Sequence, residues 1–108
     1  MAHYALKKSS DGKFFFNLVA DNNETVLTSE MYNEKDGALN GIESVKKNAP
    51  LEERYKEKEA SNGQPYFVLK AGNHEIIGTS EQYSSKQAMK GGIEAVKKTA
   101  PTAEVKEE

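Results

Sequence analysis

The sequence contains no cysteine, which removes disulfides and thiolate nucleophiles from consideration and leaves the redox compartment open. It has two histidines, His3 and His74, with no H-x-x-x-H spacing, and Asp11, Asp21 and Asp36 follow no calcium-loop pattern. No metal and no cofactor is expected. Long apolar runs are missing too: nothing approaches the roughly 20 residues of a membrane span, and the opening "MAHYALKKSSDG" lacks the apolar stretch of a secretory signal. A cytoplasmic protein is the expectation. Charge of one sign is also scarce, since the formal net charge is only −2. Wholesale attraction to nucleic acid or an anionic membrane is not expected from so weak a field.

What the chain does contain is written twice. "GIESVKKNAP", from Gly41, returns as "GIEAVKKTAP", from Gly92. With Tyr4 set over Tyr55, the match runs without a gap to Pro50 and Pro101, and "FNLVADNNETVLTSEMY" lies over "FVLKAGNHEIIGTSEQY". Roughly half the aligned positions are identical, which indicates an internal duplication. A half of about 50 residues is near the lower limit for an independent core. The 108 residues therefore read as a single domain, 1–108, made of repeat one (4–53) and repeat two (54–106).

Each repeat reads as β-β-β-α. A strand at Tyr4 to Lys8, or Tyr55 to Glu59, runs into "SSDG" or "SNG", where Gly12 and Gly63 supply positive φ for a tight reversal. The second strand alternates, with Phe14, Phe16, Leu18 and Ala20 on one face, matched by Pro65, Phe67, Leu69 and Ala71. Turns at "DNNE" and "GNHE" follow, with Asn22 and Asn73 expected in left-handed geometry. Third strands run from Val26 to Ser29 and from Ile77 to Ser80. The period then becomes helical: Ala38, Ile42, Val45 and Ala49 share a face, as do Ala88, Ile93 and Val96. Ser84 with Gln87 reads as a capping box, and Asn33 with Asp36 as its looser counterpart. Lys46, Lys47, Lys97 and Lys98 suit the negative helix end, and Pro50 and Pro101 forbid continuation. The tail "TAEVKEE" sets Val105 at the position of Arg54 and is expected to add a last strand. Arg54 to Glu59 is expected to serve both units as one long strand.

The pattern G-x-x-x-F-x-L-x-A-x-N-x-E, then S-E-x-Y, then G-I-x-x-V-K-K, in both halves, resembles the YegP-like family of small uncharacterised bacterial proteins. The duplicated form of that family is the nearer likeness. The resemblance implies two β(3)-α-β units forming one antiparallel sheet with two helices packed on it, their C-terminal strands exchanged. It implies no activity.

Three functional readings compete. The first is a non-enzymatic accessory or interaction module that uses the open sheet face or a sheet edge, with no identified partner. The second is weak single-stranded nucleic-acid binding: a helix-free face would expose Phe15, Asn17 and Val19 with Tyr66, Val68 and Lys70, and aromatics there can stack bases. Lys7, Lys13, Lys58 and Lys70 would meet phosphates, opposed by Glu57, Glu59 and Glu75. The third is a small enzyme centred on Ser29, Glu30 and Tyr32 with Ser80, Glu81 and Tyr83. No histidine repeats alongside those serines to act as a base, so a connector role is expected for them. Gly41 and Gly92 fall inside the helices, where their N–H groups are already bonded, so they are read as close-packing positions rather than an anion loop. No catalytic residue is assigned, and a monomer is expected because each repeat supplies its partner.

Overall fold

The computed structural model describes all 108 residues. The chain runs β1 (His3–Lys8), β2 (Phe14–Val19), β3 (Thr25–Thr28), α1 (Lys35–Asn48) and a single 3-10 turn at Glu52–Arg54. Repeat two continues with β4 (Tyr55–Glu59), β5 (Pro65–Lys70), β6 (Ile76–Thr79), α2 (Lys86–Thr99) and β7 (Glu104–Glu107). The strands form one seven-stranded sheet in the order β4-β5-β6-β3-β2-β1-β7. Both helices cover one face. Between helices and sheet lies an 18-residue core that includes Tyr4, Phe16, Leu18 and Ile42 with Phe67, Leu69, Ile93 and Val96. The alternation in β2 and β5 sends these aromatics and leucines inward, while Phe14 and Ala20 pack at the core's margin.

The repeats meet at the middle of the sheet, where β3 and β6 pair only at Thr28 and Thr79 and then diverge. Each half then holds the other's helix. Tyr4 Oη donates to the Ala100 carbonyl at the end of α2, and Tyr55 Oη donates to that of Ala49 at the end of α1, both at 2.7 Å. The core cluster thus draws on both half-size units.

Several local expectations shift. The left-handed residues are Asn23 (φ 68°) and His74 (φ 72°), one position beyond Asn22 and Asn73. Asn22 and Asn73 instead close the turns with their side chains, their Oδ1 atoms accepting from the N–H of Glu24 and Glu75 at 3.0 and 3.1 Å. Gly12 and Gly63 do take positive φ. Helix α2 is capped by Ser85, not Ser84: its side chain accepts from Ala88 N–H at 3.1 Å. Helix α1 has Glu34 at that position with no side-chain cap. The buried face of α2 is Met89, Ile93 and Val96, whereas Ala88 is exposed. Met89 stands where Ala38 stands in α1, and it keeps the i, i+4, i+7 spacing that Ala88 breaks.

The sheet is mixed, not wholly antiparallel, because β7 runs parallel to β1. Only one C-terminal strand crosses over. The matching residues of repeat one are already spent as the start of β4, which pairs with β5 and with no other strand. Arg54 to Glu59 therefore serves repeat two alone, and the outer edge of β4 is open. No helix is long and apolar enough to cross a membrane.

Candidate binding surfaces

The paired Ser-Glu-x-Tyr segments follow β3 and β6, and their side chains are committed to the scaffold. Ser29 Oγ accepts from Phe16 N–H at 2.9 Å and donates to the Glu30 carbonyl at 2.8 Å; Ser80 does the same with Phe67 and Glu81. These hydroxyls patch the point where the strand leaves the ladder, and both serines are buried. Tyr32 stacks on Phe16 and Tyr83 on Phe67. Each phenol rests over a helix glycine: a Cβ at Gly41 would meet Tyr32 Oη at 2.3 Å, and one at Gly92 would meet Tyr83 Oη at 2.1 Å. The repeated glycine is thus the seat of the repeated tyrosine. Both tyrosines lie two positions before the residue that precedes the helix, and they hold its first turns against the sheet.

Where β3 and β6 diverge, two shallow hollows open on either side of the centre. One, of about 590 Å³, is lined by Glu24 and Val26 of repeat one with Glu81 and Tyr83 of repeat two. Its twin, of about 540 Å³, brings Glu30 and Tyr32 together with His74, Glu75 and Ile77. Burial, and then the neighbouring carboxylates, raise both phenols above the usual tyrosine range: Glu30 and Glu75 act on Tyr32, Glu81 and Glu24 on Tyr83. A phenol that holds its proton this firmly is poorly matched to acid–base work near neutrality. No group of three or more His, Asp or Glu side chains gathers anywhere to hold a metal. These cross-repeat hollows were not visible in the sequence, because each is built from positions about 50 residues apart that only the central crossing joins.

The helix-free face carries the remaining candidates. Phe15, Tyr66 and Lys70 are half-buried there. Asn17 and Val68, expected to be exposed, are not. Asn17 sits between Ala5 and Thr28 and donates from Nδ2 to Thr28 Oγ1 at 2.9 Å. Val68 is 2% exposed between Lys56 and Thr79. In a central strand, cross-strand neighbours on both sides cover a medium-sized residue even without a second layer. Phe15 pairs with Lys7 and Tyr66 with Lys58, so each aromatic has a cation on its outer side. Neither aromatic lines the glutamate-bearing hollows; Tyr66 instead lines a separate one of about 390 Å³ with Ser61, Thr79 and Gln82.

Comparison with known proteins agrees with this architecture. The profile of a domain of unknown function (DUF1508) matches residues 9–55 and again 60–107. A UPF0339 protein of Shewanella oneidensis is 52% identical over 104 residues, covering 96% of this chain and 94% of its own. The chain belongs to the UPF0339 family. The YegP protein of Escherichia coli, another member, is 51% identical with the same coverage of both chains. Two UPF0339 solution NMR structures superpose closely. That of the Shewanella oneidensis protein has a TM-score of 0.92 at 51% identity, covering 98% of this chain and 90% of that one. That of Escherichia coli YegP has 0.93 at 50%, covering 98% and 91%. UPF0339 is a family of uncharacterised proteins, and nothing in these comparisons points to an enzymatic or nucleic-acid function.

Proposed function

We propose that this UPF0339 protein is a non-enzymatic protein-binding module, cytoplasmic and monomeric, that meets its partner with the helix-free side of the sheet. The observation that carries this reading is the division of labour between the two faces. Hydroxyls and phenols that chemistry would need are tied into the helix side, while the other side bears Phe15 and Tyr66 with no layer over them. A protein partner fits this face better than single-stranded nucleic acid does. The formal net charge of −2 supplies no field that would draw a phosphate chain to this face.

The test is affinity capture with the wild-type chain and with a Phe15→Ala/Tyr66→Ala double variant as bait. Capture that depends on both aromatics is expected, and capture equal with the two baits would refute the face as the contact. In a parallel low-salt titration with mixed single-stranded oligonucleotides, amide shifts at Phe15 and Tyr66 would move the reading to nucleic acid.

A further inference from the structure

The two outer edges of the sheet are equivalent by the internal symmetry, yet only one is covered. Beside β1 lies β7, in parallel register from His3 opposite Glu104 to Leu6 opposite Glu107. Its docking has two parts. The backbone part uses residues that face away from β2, such as the Leu6 carbonyl, which accepts from Glu108 N–H at 2.9 Å. The charged part pairs Lys7 with the Glu108 carboxylate at 4.0 Å and Lys35 with Glu107, and His3 Nε2 also lies 4.0 Å from Glu108.

The β4 edge repeats both parts. Glu57 is the counterpart of Leu6 and sits opposite Phe67. Phe67 bonds through its N–H to Ser80 Oγ and through its carbonyl to Ser80 N–H, so its backbone groups face β6. The Glu57 N–H and carbonyl therefore point outward, away from β5. On the helix-free side, Lys56 and Lys58 stand opposite Val68 and Tyr66. Arg54 precedes them at the end of the 3-10 turn with its guanidinium beside Gly72, and none of the three forms an ion pair. Arg54 also has a buried Nε with no hydrogen-bond partner. On the helix side, Glu57 and Glu59 stand across shallow hollows from Lys86 and Lys90 of α2.

Building on the reading of this protein as a binding module, we propose that the β4 edge takes up an extended segment of a partner protein. The segment runs parallel to β4, and acidic side chains at every second position meet Arg54, Lys56 and Lys58. Main-chain bonds to an open edge supply affinity, and alternate side chains supply selectivity. A second copy is a poor occupant. Edge-to-edge pairing of two β4 strands with the helices on one side sets Lys56 opposite Lys58 and Glu57 opposite Glu57, and like charges directly opposite destabilise a pair. The copy's own β7 is already engaged on its β1.

The acetylated pentapeptide Glu-Val-Glu-Thr-Glu, titrated into the full-length 15N-labelled chain at low salt, tests this. Expected are saturable amide shifts along Tyr55–Glu59 and slowed exchange of the Glu57 amide, at peptide concentrations up to about several millimolar, the range of a weak edge contact. Lys-Val-Lys-Thr-Lys should give no such shifts. A Lys56→Glu/Lys58→Glu variant should weaken the acidic peptide at least about tenfold while keeping a dispersed spectrum, and added salt should weaken the wild-type contact. No β4 shifts with the acidic peptide would overturn the proposal and leave the face reading intact. Shifts confined to Phe15 and Tyr66 would overturn the edge in favour of that face. Shifts along β4 that grow with protein concentration alone would identify a second copy as the occupant and also overturn it.

Discussion

At the residue scale, the repeated glycine and tyrosine form a lock. Gly41→Ala sets a methyl group where Tyr32 Oη and the Phe16 ring already stand, and overpacking of this kind costs roughly 1–3 kcal/mol. Gly91, one residue from the seat of Tyr83, has nothing within 4 Å of an added Cβ. Gly91→Ala should therefore stabilise α2, by up to about 1 kcal/mol. Urea unfolding of the two variants checks both signs. Tyr4 gives the residue scale its pH dependence. Its phenol is fully buried, and burial, then Glu43, then Tyr55 raise its pKa above the ordinary value. The unfolded chain thus loses this proton first. The stabilisation is complete below the ordinary tyrosine pKa of about 10 and is lost above it, by about 1.4 kcal/mol per pH unit. Tyr55, Tyr32 and Tyr83 are raised in the same direction and add their own contributions. Alkaline unfolding curves should therefore be steeper than one tyrosine gives in the wild type and shallower in Tyr4→Phe.

At the element scale, the two helices differ in how they begin. Ser85 closes the first turn of α2, whereas Glu34 presents the same extended backbone to α1 without a cap. Ser85→Ala should cost about 1 kcal/mol, and Glu34→Ser should gain a similar or smaller amount. Thermal melts of the two single variants measure this directly. The elements are also where the sequence was most readable. Phe16 and Leu18, like Phe67 and Leu69, announced their face by period two, and Ile42 with Val45 announced theirs by helical spacing. The errors were of one position: Ser84 for Ser85, Ala88 for Met89, Asn22 for Asn23. Adjacent serines, alanine beside methionine, and neighbouring asparagines satisfy the same local rule, and only the packed helix and turn choose between them.

At the scale of the whole molecule, the duplication cannot be perfectly symmetric where its halves touch. Leu27 and Gly78 occupy matching positions in β3 and β6, and a Cβ on Gly78 would lie 2.5 Å from Leu27 Cδ2. There is room near the centre for one large side chain, so one repeat keeps leucine and the other gives it up. Gly78→Leu should overpack and Leu27→Gly should leave a void, each costing about 2 kcal/mol or more. The double variant should recover a substantial part of both losses, a coupling that urea unfolding of the four chains would quantify. This compensation, the cross-repeat hollows and the open β4 edge were not legible in the sequence, because each arises from how the copies meet rather than from either copy. Alternation separates Phe15 and Tyr66 from the core residues Phe16 and Phe67, but the covering of Asn17 and Val68 depends on strand order, which alternation does not encode.

The parallel pairing of β1 with β7 also fixes how the molecule bears tension. His3 opens one strand and Glu107 closes its parallel neighbour, so a pull through these two residues drags the strands past each other lengthwise. The hydrogen bonds between them are then loaded together in shear. A pull through Lys8 and Glu107 instead takes hold of both strands at the same end and peels the pair apart from there. Single-molecule stretching should find the first direction mechanically stronger than the second.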